Sequence, residues 1–365
     1  MEFALILLFL LALALSLIAT PLVSRLAVKI NALDLPGERK LHRQPIPRLG
    51  GIAIYLAYVV ALNTGLLLSD HLLNLFEKSL RSWLGLLFGG SIVLALGIVD
   101  DIYELRPRTK LIFQVLAGLV VYGAGLQVTK LANPFDGVLV LDWLSLPVTL
   151  LWIVGITNAM NLIDGLDGLA SGVALIITAT ILVISIMSGQ MGVAAISSIL
   201  CGSTLGFLRY NFNPARIFMG DSGSMFLGFT LAVISLQGTQ KSTTAMAIFI
   251  PILFFGLPIA DTIFAVWRRL GRRPTAASKG GWRVFNADRE HIHHKLINLG
   301  LSHRSAVLIL YLVTVGLSVV ALFITAARSE AAAITTTVTL FVAMGLLMLL
   351  SGKYPKVRKA DSDTR

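Results

Sequence analysis

Cysteine is almost missing from this chain: 365 residues hold one, Cys201. A lone thiol closes no intrachain disulfide, and its place inside an apolar run reads as a small buried side chain that says nothing of redox compartment. Charge is scarce as well, at 13% of residues where a soluble domain carries roughly 25%. With 56% hydrophobic residues and a mean hydropathy of +0.83, the chain is an integral membrane protein. No polar stretch is long enough for a separate soluble domain, and no convincing internal repeat exists. A last absence is chemical: no acid falls at the middle of an apolar run. A proton-coupled transporter needs ionisable side chains near the bilayer midplane, so that class is disfavoured.

What is present is a series of spans. A bilayer core takes about 20 apolar residues per helix, and eleven runs qualify, at 3–23, 49–69, 83–99, 111–127, 143–160, 169–187, 191–208, 222–238, 244–266, 305–327 and 331–351. Connections as short as "SGQMG" (188–192) let boundaries move by a turn and leave ten as the alternative count. The expected fold is an all-α polytopic membrane protein, with one membrane domain over 1–352 and a disordered basic tail over 353–365. The polar segment 267–304 is expected to form a loop and a helix outside the lipid. The first run opens on Glu2 and is followed by Arg25 and Lys29, so it reads as a retained span with the N-terminus outside. From that start, all of the 30 basic residues except Lys78, Arg81, Lys130, Lys241 and Arg328 fall inside, as does the C-terminus. The net charge of +11 then follows from orientation and anionic lipid and requires no nucleic acid. On the outside, "ANPFDGVLVLDW" (132–143) has β-prone residues around Gly137 and reads as a short hairpin.

The acids on this topology gather at one depth. Asp100 and Asp101 sit where the third run exits, Asp164 and Asp167 follow the fifth, Asp221 precedes the eighth, and Asp261 lies near the inner end of the ninth. A single acid past a helix end serves equally well as a solvated cap. Adjacent Asp100 and Asp101 are harder to dismiss, because like charges side by side raise a pKa unless a cation or solvent compensates. A shared site at the cytoplasmic interface suits one soluble and one lipid-borne substrate. Phosphate chemistry there calls for Mg²⁺, which takes one or two carboxylates plus substrate oxygens.

Two glycine-rich stretches, "DGLDGLASG" (164–172) and "GDSGSMFLG" (220–228), run from an acid into an apolar helix. N–H groups at such helix starts favour anions and glycine admits close approach; tight helix packing is the other use of these glycines. In "DREHIHHKL" (288–296), His291, His294 and Lys295 share one helical face with Asp288 as cap. Zinc would need ligands not found nearby, so donors to a diphosphate or a solvated basic face are the readings. Small-residue faces such as "GVAAISS" (192–198) suit packing within or between chains, which leaves a homodimer open.

"GIVDD" (97–101), "NAMNLIDGLDGLASG" (158–172), "RIFMGDSGSMFLGF" (216–229) and "DREHIHHKL" (288–296), in this order across the spans, closely resemble the polyprenyl-phosphate N-acetylhexosamine-1-phosphate transferases. The resemblance covers nearly the whole chain. It implies transfer of a sugar 1-phosphate from a UDP-sugar to a polyprenyl phosphate, with release of UMP. "HIHH", "ERKLHRQPIPRLGG" (38–51) and "PIADTIFAVWRR" (258–269) are similar to the branch that uses UDP-GlcNAc and undecaprenyl phosphate. That branch starts O-antigen, enterobacterial common antigen or wall teichoic acid; the UDP-MurNAc-pentapeptide branch of peptidoglycan synthesis is the alternative. Mg²⁺, with Mn²⁺ as a substitute, and the bacterial inner or plasma membrane are implied too.

Carried over by motif, Asp221 is the principal metal ligand and Asn161 a contact of metal or diphosphate, with Asn158 beside it as a substrate contact. Phe218 stacks on uracil and Asp167 lies against the nucleoside. Asp100 or Asp101 acts on the lipid phosphate, and Asp164 joins the catalytic aspartates. Lys40, Arg48 and Lys110 attract the lipid phosphate, and His291, His293 and His294 hold diphosphate or sugar. Direct attack and a covalent phospho-sugar intermediate both remain open, and a lipid or sugar transporter is the reading from another class.

Overall fold

A computed structural model of the chain describes residues 2–36, 44–132, 138–240, 246–271, 291–327 and 332–340. Helix α1 (Glu2–Lys29) buries Leu5, Leu8, Ala12, Ser16, Thr20, Val23 and Ala27 at helical spacing. Its other face leaves Phe3 and Ile18 exposed, which costs nothing against lipid tails. Pro21 lies inside this helix. Its missing N–H frees the carbonyl of Leu17, and the Tyr210 hydroxyl donates to that oxygen at 3.2 Å. A partner on a neighbouring helix thus keeps α1 continuous through a proline.

A short antiparallel pair, β1 (Leu33–Asp34) with β2 (Ile46–Pro47), leads into α2 (Gly50–Leu68). The bundle continues with α3 (Asp70–Glu77), α4 (Leu80–Tyr103) and α5 (Pro107–Gly123). Strands β3 (Lys130–Ala132) and β4 (Val138–Val140) then pair antiparallel, Leu131 opposite Leu139, starting two residues earlier than the expected 132–143 hairpin, whose Gly137 turn lies outside the described residues. Next come α6 (Ser145–Ile163), α7 (Leu169–Met187), α8 (Met191–Asn211), α9 (Gly220–Gln240), α10 (Met246–Phe254), α11 (Gly256–Gly271), α12 (Ile292–Asn298) and α13 (His303–Ala327). Residues 332–340 are helical as well.

Among the described residues, seven helices are long and apolar enough to cross a bilayer, and the fold is an all-α polytopic membrane bundle. Three of the eleven runs differ from a simple span. The fourth gives α5, only 17 residues long. The eighth gives α9, where Ser222, Ser224, Thr230, Ser235 and Gln237 are all buried. This helix is enclosed by α2, α4, α6 and α7, and a helix surrounded by protein needs no lipid-facing apolar surface. The ninth breaks after Phe254, because a fresh helix starts at Gly256 with Pro258 in its first turn. Helix α3 is an addition, an amphipathic segment that buries Leu72 and Phe76 behind the Ser69 cap.

The small-residue face at 192–198 is spent within the chain. Ser198 Oγ donates to the Leu5 carbonyl at 2.6 Å and Ser16 Oγ to the Ser203 carbonyl at 2.6 Å, stitching α8 to α1.

Candidate active site

The site begins where α9 starts. The first N–H groups of a helix lack partners within it, and here two of them point at α4. Asp221 N–H donates to Asp101 Oδ1 at 2.8 Å and Ser222 N–H to Oδ2 at 3.1 Å, while Ser222 Oγ–H donates to Oδ2 at 2.7 Å. Asp101 is therefore a helix cap supplied from another helix, favoured by the positive end of the α9 dipole. The approach is close because Gly97 lies directly on the Ser222 backbone, where a Cβ would collide.

Its neighbour Asp100 is arranged differently. Oδ1 accepts from the Leu105 N–H at 2.8 Å, and Oδ2 lies 2.6 Å from Lys110 Nζ. The same ammonium is 2.5 Å from Asp221 Oδ2. Lys110 sits in the first turn of α5, which Pro107 opens. One cation thus bridges carboxylates from α4 and α9, which compensates the charge that the sequence made conspicuous.

The 158–172 stretch splits into three parts. Asn158 and Gln114 form a reciprocal amide pair, at 2.6 and 3.4 Å, that joins α6 to α5. Asn161 Nδ2 donates to Ser224 Oγ at 2.9 Å beside Asp221. After α6 ends, residues 164–168 form the loop. Half-buried Asp164 makes no side-chain hydrogen bond among the described residues, and its pKa is pushed well above the usual carboxylate value by burial and then by the charges of Asp221, Asp101 and Asp167. Asp167 Oδ2 accepts from Asn213 Nδ2 at 2.9 Å and from the Ala215 N–H at 3.0 Å. Its own N–H donates to His303 Nε2 at 2.9 Å, so that ring nitrogen carries no proton.

These elements enclose a cleft of about 440 Å³, within the range of small-molecule sites. Asp164, Asp167, Phe218, Asp221, Arg48 and His294 line it. Phe218 is fixed by its backbone: its N–H donates to the Pro47 carbonyl at 2.8 Å, and its carbonyl accepts from Gly50 at 3.0 Å. Arg48 is ion-paired with Asp34. The remaining expected residues are placed off the wall: Asp100, Asp101, Lys110 and Asn161 stand behind Asp221 and Ser224, and Asn158 lies farther up α6. His291 and His293 are buried away from the cleft lining. Lys40 and Asp288 lie outside the described residues, as do the rest of 272–290 within the 267–304 segment and the tail.

Burial and the neighbouring His294 pull the His293 pKa down to about 4. Burial and then His291 lower His294 too, so both rings are neutral near pH 7.

Sequence reasoning missed Asp34, Asn211, Asn213 and His303, which also line the cleft. Asp34 follows the first apolar run at the level of the other acids, and the same plot would have collected it. Asn213 and His303 gave no such signal, since each is a lone polar residue beside a turn or a helix start.

Carboxylate donors fit a hard divalent cation. Asp221 and Asp100 are held on either side of one ammonium, and the Asn161 amide is adjacent to Asp221. No three His, Cys, Asp or Glu side chains among the described residues form a complete metal cage.

Bundle and mouth together define a polytopic membrane enzyme. Residues 83–239 match the model described as glycosyl transferase family 4. The chain is 42% identical over 307 residues to a "probable undecaprenyl-phosphate N-acetylglucosaminyl 1-phosphate transferase" of Bacillus subtilis, covering 84% of this chain and 80% of the relative. It is 36% identical over 318 residues to a decaprenyl-phosphate N-acetylglucosaminephosphotransferase of Mycolicibacterium smegmatis, covering 80% and 75%. An undecaprenyl-phosphate alpha-N-acetylglucosaminyl 1-phosphate transferase of Escherichia coli K12 is 26% identical over 294 residues, covering 79% and 75%. The chain belongs to glycosyl transferase family 4.

Proposed function

We propose that this enzyme transfers GlcNAc-1-phosphate from UDP-GlcNAc to undecaprenyl phosphate, giving undecaprenyl-diphosphate-GlcNAc and UMP. It does so at the cytoplasmic face of a bacterial plasma membrane, as the first membrane step of an envelope glycan. The gathering of most basic residues beside the same ends of the apolar runs as the acids supports that face. The observation that carries the reading is the single cleft that joins an aromatic ring and a carboxylate, Phe218 and Asp167, to the Asp221 mouth. A nucleotide laid along it has its base at one end and its diphosphate at the other. The names of the relatives supply the sugar and the lipid.

In this reading a phosphate oxygen of the lipid attacks the β-phosphorus of UDP-GlcNAc. The bond from that phosphorus to the bridging oxygen breaks, and UMP leaves with the electron pair. Phosphoryl transfer needs positioning and charge neutralisation more than covalent help. Phe218 stacks on the base, and Asp167, with Oδ2 held by Asn213 and Ala215, keeps Oδ1 for the nucleoside. Lys110, paired with Asp100 and Asp221 behind the wall, balances their charge and holds them in place. Asp221, with Asp100 and Asn161 beside it, would hold Mg²⁺. That ion, when bound, neutralises the diphosphate and improves the leaving group.

The test is UMP release by purified enzyme with Mg²⁺ and undecaprenyl phosphate, UDP-GlcNAc and UDP-MurNAc-pentapeptide being offered in separate reactions. Release with UDP-GlcNAc alone is expected; release with the pentapeptide donor alone would refute the assignment. Initial-rate patterns separate the two routes, since a covalent intermediate gives ping-pong kinetics and direct attack a ternary complex.

A further inference from the structure

The fold separates the three histidines of "HIHH" into three environments. His291 Nδ1 lies 2.7 Å from Asp261 Oδ2, and Asp261 Oδ1 accepts the Ile292 N–H at 2.8 Å. Asp261 is carried by α11 and is 2% exposed, with each oxygen spent on the start of α12. The start of α12 is thus held by a residue thirty positions before His291 in the chain. His293 lies parallel to His291, with ring centroids 5.7 Å apart. Its ring presses on Gly165 in the 164–168 loop, where a Cβ would collide with Nε2. Only His294 of the three reaches the cleft wall.

Helix α12 has seven residues, far below the length at which an isolated helix persists in water. Its position depends on what its ends and buried face touch. Its start is held by the Asp261 pair, and its buried face sets the His293 ring on Gly165 and packs Ile292, Leu296 and Ile297 against the core beside α13.

We infer that Asp261 is a positioning residue: by holding His291 and the Ile292 N–H it seats α12 on the 164–168 loop and delivers His294 to the cleft. The catalytic consequence rests on the transferase reading above, whereas the latch itself does not. Asp261 touches no reacting atom, and its effect passes through His294.

The experiment uses the full chain in lipid nanodiscs, with Asp261→Ala, Asp261→Asn, His294→Ala and the Asp261→Ala/His294→Ala pair. Hydrogen exchange across residues 291–299 is measured without substrate, and UMP release with UDP-GlcNAc and undecaprenyl phosphate. Asp261→Ala is expected to accelerate exchange in α12 and to lower kcat/KM by about 100-fold, the scale of a small misplacement of an active-site group. His294→Ala should leave exchange unchanged. Asp261→Asn should recover most of both signals, because an amide oxygen accepts from Ile292 and an amide N–H can pair with the His291 ring nitrogen. The double variant should be no slower than the slower single one.

Unaltered exchange in Asp261→Ala, or fully additive losses in the double variant, would overturn the latch. Should Asp261→Ala fail to insert, Ile292→Pro removes the donor from the other side. His291 is extended at φ −60 and ψ 154, which suits the residue before a proline, and proline is tolerated at a first helical position. Faster exchange is again the expected result and unchanged exchange the refuting one. A protein that shows the exchange change but does not turn over UDP-GlcNAc retains the latch and loses the substrate assignment.

Discussion

The starts of α9 and α12 use one device in two settings. In each, an aspartate on an earlier helix accepts a backbone N–H at the start of a later one: Asp101 serves Asp221 and Ser222, and Asp261 serves Ile292. At α9 the cap lies inside the bundle, under the Gly97 crossing, on a helix of 21 residues enclosed by four others. At α12 it holds a seven-residue helix by its end. The first cap adds to a position that packing on four helices already fixes, whereas the second acts on a short helix packed mainly beside α13. Losing the first should therefore appear as lost stability, and losing the second as lost placement with the bundle intact.

Four adjacent measurements sharpen that contrast. Asp221→Ala should lower turnover by about 10³-fold or more, the size of losing a principal charge-stabilising group in phosphoryl transfer, with little change in thermal unfolding. Asp101→Ala should cost stability as well as activity. The buried Ser222 N–H and hydroxyl and the part-buried Asp221 N–H lose their acceptor, at roughly 1–3 kcal/mol for each buried unsatisfied group, read as a lower unfolding midpoint in detergent. If Asp221→Ala unfolds first and Asp101→Ala is neutral, the division of labour between the two aspartates is wrong.

His293 tests the packing on the other side of the comparison. Its folded pKa, about 4, lies below the ordinary histidine value of about 6.5, so the stability from its burial is complete above about 6.5 and is lost as pH falls towards 4. The full loss is about 3 kcal/mol. His293→Leu should flatten this part of the stability profile between pH 7 and 4, and an unchanged profile would contradict a buried neutral ring. The smallest effect is expected at Gln114→Ala, which breaks the amide pair with Asn158 at about 1 kcal/mol and leaves the cleft lining in place.

Much of the fold was legible because lipid imposes simple rules. Runs of apolar residues became helices, the β-prone residues 138–140 paired antiparallel with 130–132, and the absence of mid-span acids was followed by carboxylates meeting at one mouth. The exceptions share a cause. Helix α9 is too polar to face lipid, and only its enclosure by neighbours explains why it lies in the bundle. Pro21 reads as a break, yet Tyr210 on α8 repairs the bond it removes. In the site, motif spacing brought forward Asp164, Asp167, Phe218 and Asp221, which do share a cleft. It could not tell Asp100 from Asp101, which are adjacent in sequence yet face a lysine in one case and a helix start in the other. It grouped three histidines that the fold separates, and it passed over His303, whose contact with Asp167 spans 136 residues.

The sequence by itself determined a membrane-embedded bundle, the family, and the set of side chains able to do phosphate chemistry, because hydropathy, charge placement and motif order are properties of the chain alone. The tertiary structure decided which of those side chains face a substrate and which hold the others in place. That distinction rests on hydrogen bonds only a few ångströms long between helices far apart in sequence, and spacing along the chain carries no record of them.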